Sequence, residues 1–180
     1  MGLRSTKIGL KIGLLGGSFN PAHAGHLHIS EIALKKLGLA QVWWLVSPQN
    51  PLKPRTEMMD FEKRFASAVK AKGQNPKIKV SDIEAKFGTR YTVDILRRLK
   101  AKFPHYEFVW LMGADNLLQL PKWKNWQEIL RLVPIHVFDR AQFFHQAVSS
   151  RAYSQYKGRI TYHNIRKNPF SATGIRLTKR

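Results

Sequence analysis

The sequence predicts an α/β fold, a parallel sheet with helices on both faces, on three observations. Apolar runs of strand length alternate with helical patterns. The first run passes straight into a glycine-rich turn and a helix start. Polar and glycine-rich clusters then recur after the apolar runs, where sheets of this kind bind their ligands. The arrangement expected is Rossmann-like and doubly wound, and 180 residues suit a single domain spanning 1–180.

Taken in order, the predicted strands cover residues 8–15, 42–46, 78–80, 108–112, 135–138 and 160–162. Between the first two, Leu27, Ile29, Ile32, Ala33 and Leu37 approximate one helical face, with Gly38 as the stop. Phe61, Phe65, Ala68 and Val69 make a second face, with Asp60 as N-cap and Gly73 as stop. Val93, Leu96 and Leu99 make a third, ending before Pro104. Trp126, Ile129, Leu130 and Val133 make a fourth, ending at Pro134.

Composition narrows the function classes. Apolar residues make up 43% of the chain, a globular value. Without cysteine there is no disulfide framework, no thiolate zinc site and no cysteine nucleophile. No apolar run approaches the roughly 18 residues of a membrane span, and residues 1–7 are too short and glycine-interrupted for a signal peptide. A cytoplasmic protein without a membrane partner is the expectation. The net charge of +20 admits nucleic acid as a partner. The basic residues are spread through the chain, however, and carry no nucleic-acid motif, so that remains a secondary reading.

The richest stretch is Gly13-Leu14-Leu15-Gly16-Gly17-Ser18-Phe19-Asn20-Pro21-Ala22-His23-Ala24-Gly25-His26. It reads as strand, tight glycine turn and helix N-terminus. Glycine tolerates unusual φ/ψ and leaves room for a ligand. The free N–H groups and positive dipole of a helix start favour an anion such as phosphate, and His23 and His26 can donate hydrogen bonds to its oxygens. The stretch lacks the Gly-Lys-Ser/Thr of a Walker loop, and its glycine spacing does not match a dinucleotide fingerprint. A zinc pair at His23 and His26 lacks a nearby third ligand.

Other clusters follow the later strands. Lys53, after Asn50-Pro51-Leu52, is either a phosphate contact or an ordinary surface lysine. Tyr91 and Thr92 open a helix, with Thr92 as its expected N-cap. Gly113 and Asp115 follow a buried strand, the Asp suited to ribose hydroxyls or to capping the next helix. Trp126 continues a helical core face, whereas Trp123 lies off it in a loop. Arg140 follows the fifth strand. Ser171, Thr173 and Arg176 would form an anion clamp at a last helix start.

The first stretch resembles the nucleotidyltransferase signature Gly-Gly-Ser/Thr-Phe-Asp/Asn-Pro-x-His-x-Gly-His. Residues 171–176 resemble that superfamily's second signature, Ser-Ser/x-Thr-x-Ile/Leu-Arg. The doubled glycine, Tyr91-Thr92 and Trp123 make the chain similar to bacterial nicotinate mononucleotide adenylyltransferases. The resemblance implies that ATP is held by Gly16, Gly17, Ser18, Phe19, His23, His26, Gly113, Asp115, Ser171, Thr173 and Arg176. It implies that nicotinate mononucleotide is held by Asn20, Lys53, Tyr91, Thr92, Trp123 and Arg140, with Trp123 stacked on the pyridine ring. The sequence departs from the pattern at Asn20, often Asp, and at Ala172, which removes a hydroxyl. The implied reaction joins nicotinate mononucleotide and ATP to give deamido-NAD and pyrophosphate. A sister transferase acting on phosphopantetheine, or a cytidylyltransferase, is the alternative. The nucleophile is a phosphate already anionic at neutral pH. Catalysis is then positioning and charge stabilisation, assigned to His23, His26, Lys53, Ser171, Thr173 and Arg176. Magnesium is expected on the phosphates, with no metal site of the protein's own. The sequence leaves the oligomeric state open.

Overall fold

The computed structural model describes residues 9–49, 58–139 and 143–165. Six strands form one parallel sheet in the order β3-β2-β1-β4-β5-β6. They are β1 (Lys11–Gly17), β2 (Gln41–Val46), β3 (Ile78–Ser81), β4 (Glu107–Gly113), β5 (Ile135–Asp139) and β6 (Ile160–Asn164). The helices are α1 (Ala24–Lys36), α2 (Phe61–Ala71), α3 (Ile83–Lys86), α4 (Thr92–Lys102), α5 (Ala114–Gln119), α6 (Trp126–Leu132), α7 (Phe144–Val148) and α8 (Arg151–Gln155). The doubly wound expectation holds. Strand order reverses between β1 and β4, and in sheets of this order the ligand crevice lies at that reversal, outside the strands' carboxyl ends.

Side chains alternate along the strands, so the central strands feed two cores, one on each face of the sheet. Ile12, Leu14, Leu45, Trp110 and Met112 face one side and pack with Val93, Leu96 and Leu99 of α4 and Ile129 and Leu130 of α6. Leu15, Val42, Trp44, Val46 and Leu111 face the other and pack with Ile29 and Ala33 of α1 and Ala68 of α2. The central strands are buried over most of their length, which is why they read as continuous apolar runs.

Several expectations need correction. β1 runs on through Gly16 and Gly17, so the strand ends two residues later than predicted. α1 starts at Ala24, three residues early, because His23 caps it. Asp60 stands at the N-cap of α2 without a capping hydrogen bond and instead pairs with Lys63 at 3.5 Å. Val69 is 44% exposed, and the buried face of α2 holds Arg64 in its place. Thr92 is the first residue of α4 rather than its cap. The cap position falls on Tyr91, whose N–H is accepted by the Thr89 hydroxyl at 3.2 Å. Gly38 and Gly73 do end their helices, with φ of 60° and 61°. Among the described residues no helix is long and apolar enough to cross a membrane.

Candidate active site

The loop after β1 turns on Phe19, not on the glycines. Phe19 has φ 47° and is followed by a cis Asn20–Pro21 peptide. A left-handed conformation costs a non-glycine residue about 1–2 kcal/mol, and packing offsets it here. The Phe19 ring is 2% exposed, stacks on Trp44 at 5.2 Å and lies 4.7 Å from the His26 ring. Gly13 and Gly16 sit inside β1 for a different reason. A Cβ on Gly13 would lie 2.7 Å from Leu39 Cδ1, and one on Gly16 would lie 2.5 Å from Trp110 Cη2. They make room for neighbouring side chains, which corrects the reading of Gly16 as a turn residue and agrees with the placing of Gly13 in the first strand.

The two histidines form the start of α1. His23 is the N-cap in extended conformation, and its Nδ1 accepts the Gly25 N–H at 3.1 Å. His26 Nδ1 accepts the His23 N–H at 3.2 Å. Together they make a reciprocal capping box with imidazoles in place of the usual hydroxyl and carboxylate. Since each Nδ1 accepts a backbone N–H, each neutral ring carries its proton on Nε2, the nitrogen remote from the helix backbone. The ring centroids are 4.0 Å apart. Two N–H donors therefore sit at the positive end of a 13-residue helix. Asn20 is 6% exposed, and its Oδ1 accepts the Met59 N–H at 3.0 Å, which ties the loop to the approach to α2.

Across the crevice, Gly113 ends β4 and caps α5, with Asp115 in its first turn. A Cβ at Gly113 would lie 2.5 Å from Asp115 Oδ1, so the carboxylate folds back over this glycine. β4 pairs with β1 over Lys11–Leu15. The Gly113–Asp115 turn and the histidine helix thus leave neighbouring strands at the same edge of the sheet.

Beside them opens a cleft of about 600 Å³, lined by residues that include Pro48, Gln49, Thr89, Arg90, Tyr91 and Lys124. Lys124 Nζ lies 4.5 Å from the Tyr91 ring centroid and 3.2 Å from Asp94 Oδ2. The Arg90 guanidinium lies 5.5 Å from the same ring. Arg98 also lines the cleft, and Asp94 pairs with Arg97 at 3.1 Å as well as with Lys124. Trp123 precedes Lys124 and is partly buried, its ring at 87° to Trp110 with centroids 6.3 Å apart. Trp126 is in the core, as expected.

Two buried charged residues near these loops escaped the sequence reading. Arg64 is 1% exposed and, among the described residues, donates to carbonyl oxygens alone, including those of Ser18 and Ser47. Its signal was present, because 61, 64, 65 and 68 are the i, i+3, i+4, i+7 positions of the buried stripe. Glu84 is 5% exposed, and burial pushes its carboxyl up to about 7 against the opposing effect of a hydrogen bond with Ser47. Nothing in the local pattern around Ile83 and Ala85 announces it. At the end of β5 the Asp139 carboxylate accepts the Tyr162 hydroxyl and the Phe143 N–H, and its carbonyl accepts the Ile165 N–H at 2.8 Å. Burial, with Asp139 beside it, raises the Tyr162 phenol. Lys53, Arg140, Ser171, Thr173 and Arg176 lie outside the described residues.

Comparison with known proteins supplies the family. The family model described as cytidylyltransferase-like matches residues 14–177. A Parvibaculum lavamentivorans protein named "Probable nicotinate-nucleotide adenylyltransferase" is 61% identical over 135 residues, covering 75% of this chain and 67% of its own. An Erythrobacter litoralis protein of the same name is 51% identical over 152 residues, covering 84% and 69%. The chain thus spans about two thirds of the length of these relatives. The fold matches Plasmodium falciparum nicotinic acid mononucleotide adenylyltransferase complexed with NaAD, with TM-score 0.75, 19% identity, and coverage of 93% of this chain and 83% of that one. With an essentially full-length family match and relatives at this identity, the chain belongs to the nicotinate-nucleotide adenylyltransferase family.

Proposed function

We propose that the protein transfers the adenylyl group of ATP to nicotinate mononucleotide, giving deamido-NAD and pyrophosphate, with the His23–His26 cap as its phosphate-holding element. The observation that carries the residue assignment is the reciprocal cap, in which both Nδ1 atoms are used by the backbone and both Nε2–H groups become donors at a helix N-terminus. In the reaction a phosphate oxygen of the mononucleotide attacks the α-phosphorus of ATP in line. The new P–O bond forms as the bond to the bridging oxygen of pyrophosphate breaks, and that leaving group takes the electron pair. No side chain need act as nucleophile. The cap's donors stabilise charge that grows on the leaving oxygens, an effect strongest in the transition state.

Tyr91, Thr92 and Trp123 are proposed for the pyridine end. The cleft beside them carries Arg90, Arg98 and Lys124 against Asp94, an excess of positive charge that suits a ring bearing a carboxylate. Ser171, Thr173 and Arg176 are proposed as further phosphate contacts on the strength of the second signature, Lys53 as a phosphate contact from the turn after the second strand, and Arg140 as a contact to the mononucleotide. Magnesium is proposed to travel with ATP, where phosphate and water supply most of its ligands. Among the described residues no group of three or more His, Asp or Glu is set to hold a metal. A cytoplasmic location belongs to the same proposal, since ATP is the substrate.

The test is pyrophosphate release with Mg-ATP and, separately, nicotinate mononucleotide, nicotinamide mononucleotide and phosphopantetheine. Release with the acid form alone is expected. Equal rates with acid and amide would remove the role of the cationic cleft, and release only with phosphopantetheine would overturn the substrate assignment.

A further inference from the structure

Arg64 stands behind the site, not in it. Its guanidinium donates from Nη1 to the carbonyls of Ser18 and Ser47, both at 2.7 Å, from Nη2 to that of Pro48 at 2.9 Å, and from Nε to that of Met59 at 2.9 Å. These four carbonyls come from three separate stretches: the loop after β1, the loop after β2, and the approach to α2. Only a planar group with donors on several edges can reach all three at once.

The direction of these bonds has a consequence on the far side of each peptide. In a trans peptide unit the C=O and the following N–H point opposite ways. A Ser18 carbonyl aimed at Arg64 turns the Phe19 N–H away from it, and a Pro48 carbonyl aimed at Arg64 does the same to the Gln49 N–H. Gln49 lines the cleft. Phe19, the residue held at φ 47°, carries the ring that packs against His26. Asn20 and Met59 close the circuit, since Met59 donates its N–H to Asn20 Oδ1 and gives its carbonyl to Arg64. The Ser47 N–H to Gly17 carbonyl bond, 2.9 Å, joins the two loops directly.

We propose that Arg64 is a positioning residue that locks the histidine-bearing loop after β1 and the cleft-lining loop after β2 into one rigid unit, so that both halves of the substrate-binding edge hold a fixed relative geometry. The proposal rests on the adenylyl-transfer reading of the site.

The test compares wild type with Arg64→Lys and Arg64→Gln, using near-UV circular dichroism at low temperature to count folded protein. Lysine keeps the charge but is a single point donor. Per folded molecule, kcat should fall on the order of a hundredfold, the scale of a misplacement of about 1 Å. KM for ATP should change far less, because misaligned donors cost more in the transition state than in the ground state. A wild-type kcat in folded Arg64→Lys would overturn the proposal and leave Arg64 a stabilising residue alone. Should neither variant fold, hydrogen exchange of the wild type decides. The amides of Ser47, Met59 and Arg64 should open together with one free energy, whereas separate openings would refute the locked unit. A wild type without adenylyl transfer would instead refute the reading of the site, an outcome distinguishable from either of these.

Discussion

Replacing Glu84 with glutamine isolates the cost of a buried carboxyl beneath the β2 loop. The unfolded chain releases this proton near pH 4.5, and the folded protein holds it to about 7 because burial disfavours the anion. Between those values the folded state keeps a proton that the unfolded state has lost, so stability falls as pH rises through the window. The gap between about 7 and 4.5 corresponds to about 3 kcal/mol, fully felt only above pH 7. Glutamine resembles the neutral acid in shape and does not ionise. Glu84→Gln should therefore match wild type near pH 4.5 and exceed its stability by about 2–3 kcal/mol at pH 8. His136 acts in the opposite sense. Burial, with the charges of His163 and Lys11, pulls it from 6.5 down to about 4, so its contribution rises as pH climbs through that range. The wild-type profile sums both effects, but His136 is common to the two proteins and drops out of their difference. Urea unfolding of both at half-unit steps from pH 4.5 to 8 reads the difference directly. A difference that stays constant across the range would refute the reasoning, since only a titrating Glu84 makes it grow.

The other predictions concern the site and its support. His26→Ala should lower kcat by about two orders of magnitude, the scale of losing one charge-stabilising donor. His26→Gln should retain the cap, because glutamine serves at that position of a capping box, yet not restore kcat; full restoration would make His26 a cap alone. Trp123→Ala should raise KM for the mononucleotide about tenfold, within the range of aromatic–base stacking, and leave that for ATP unchanged. A loss falling on ATP would reassign the ring. Gly16→Ala should destabilise by about 1–3 kcal/mol, since its Cβ would meet the buried Trp110 ring at 2.5 Å. Thermal unfolding at the wild-type midpoint would refute the packing role.

The sheet was legible because parallel strands buried on both faces must be apolar throughout, and 42–46 and 108–112 could hardly be anything else. Short helices such as α3, α7 and α8 carry too few turns to print a periodicity, and the reading passed over them. At the site, His23 and His26 were visible as donors from residue type and spacing. Their mutual capping was not, because it depends on which ring nitrogen faces the backbone. The glycines misled for a related reason. Sequence marks where a Cβ is missing but not whether conformation or a neighbour requires it, and Trp110, ninety-four residues on, is what Gly16 accommodates. Arg64 broke the apolar pattern of its helix and was left out of the face drawn through Phe61, Phe65, Ala68 and Val69. A charge on a buried stripe is better read as a demand for partners, here four carbonyls from distant loops.

The aromatic contacts described around both halves of the crevice give the protein a built-in optical readout. Trp44 stacks on Phe19 beside His26, and Trp110 meets Trp123 at the opposite half. An indole's emission responds to the polarity and charge of its immediate surroundings. Filling the phosphate end should perturb the first chromophore, and filling the pyridine end the second pair. With five tryptophans in the chain, phenylalanine replacements that leave one half emitting at a time would let the order in which the two substrates arrive be followed by stopped-flow fluorescence without any label.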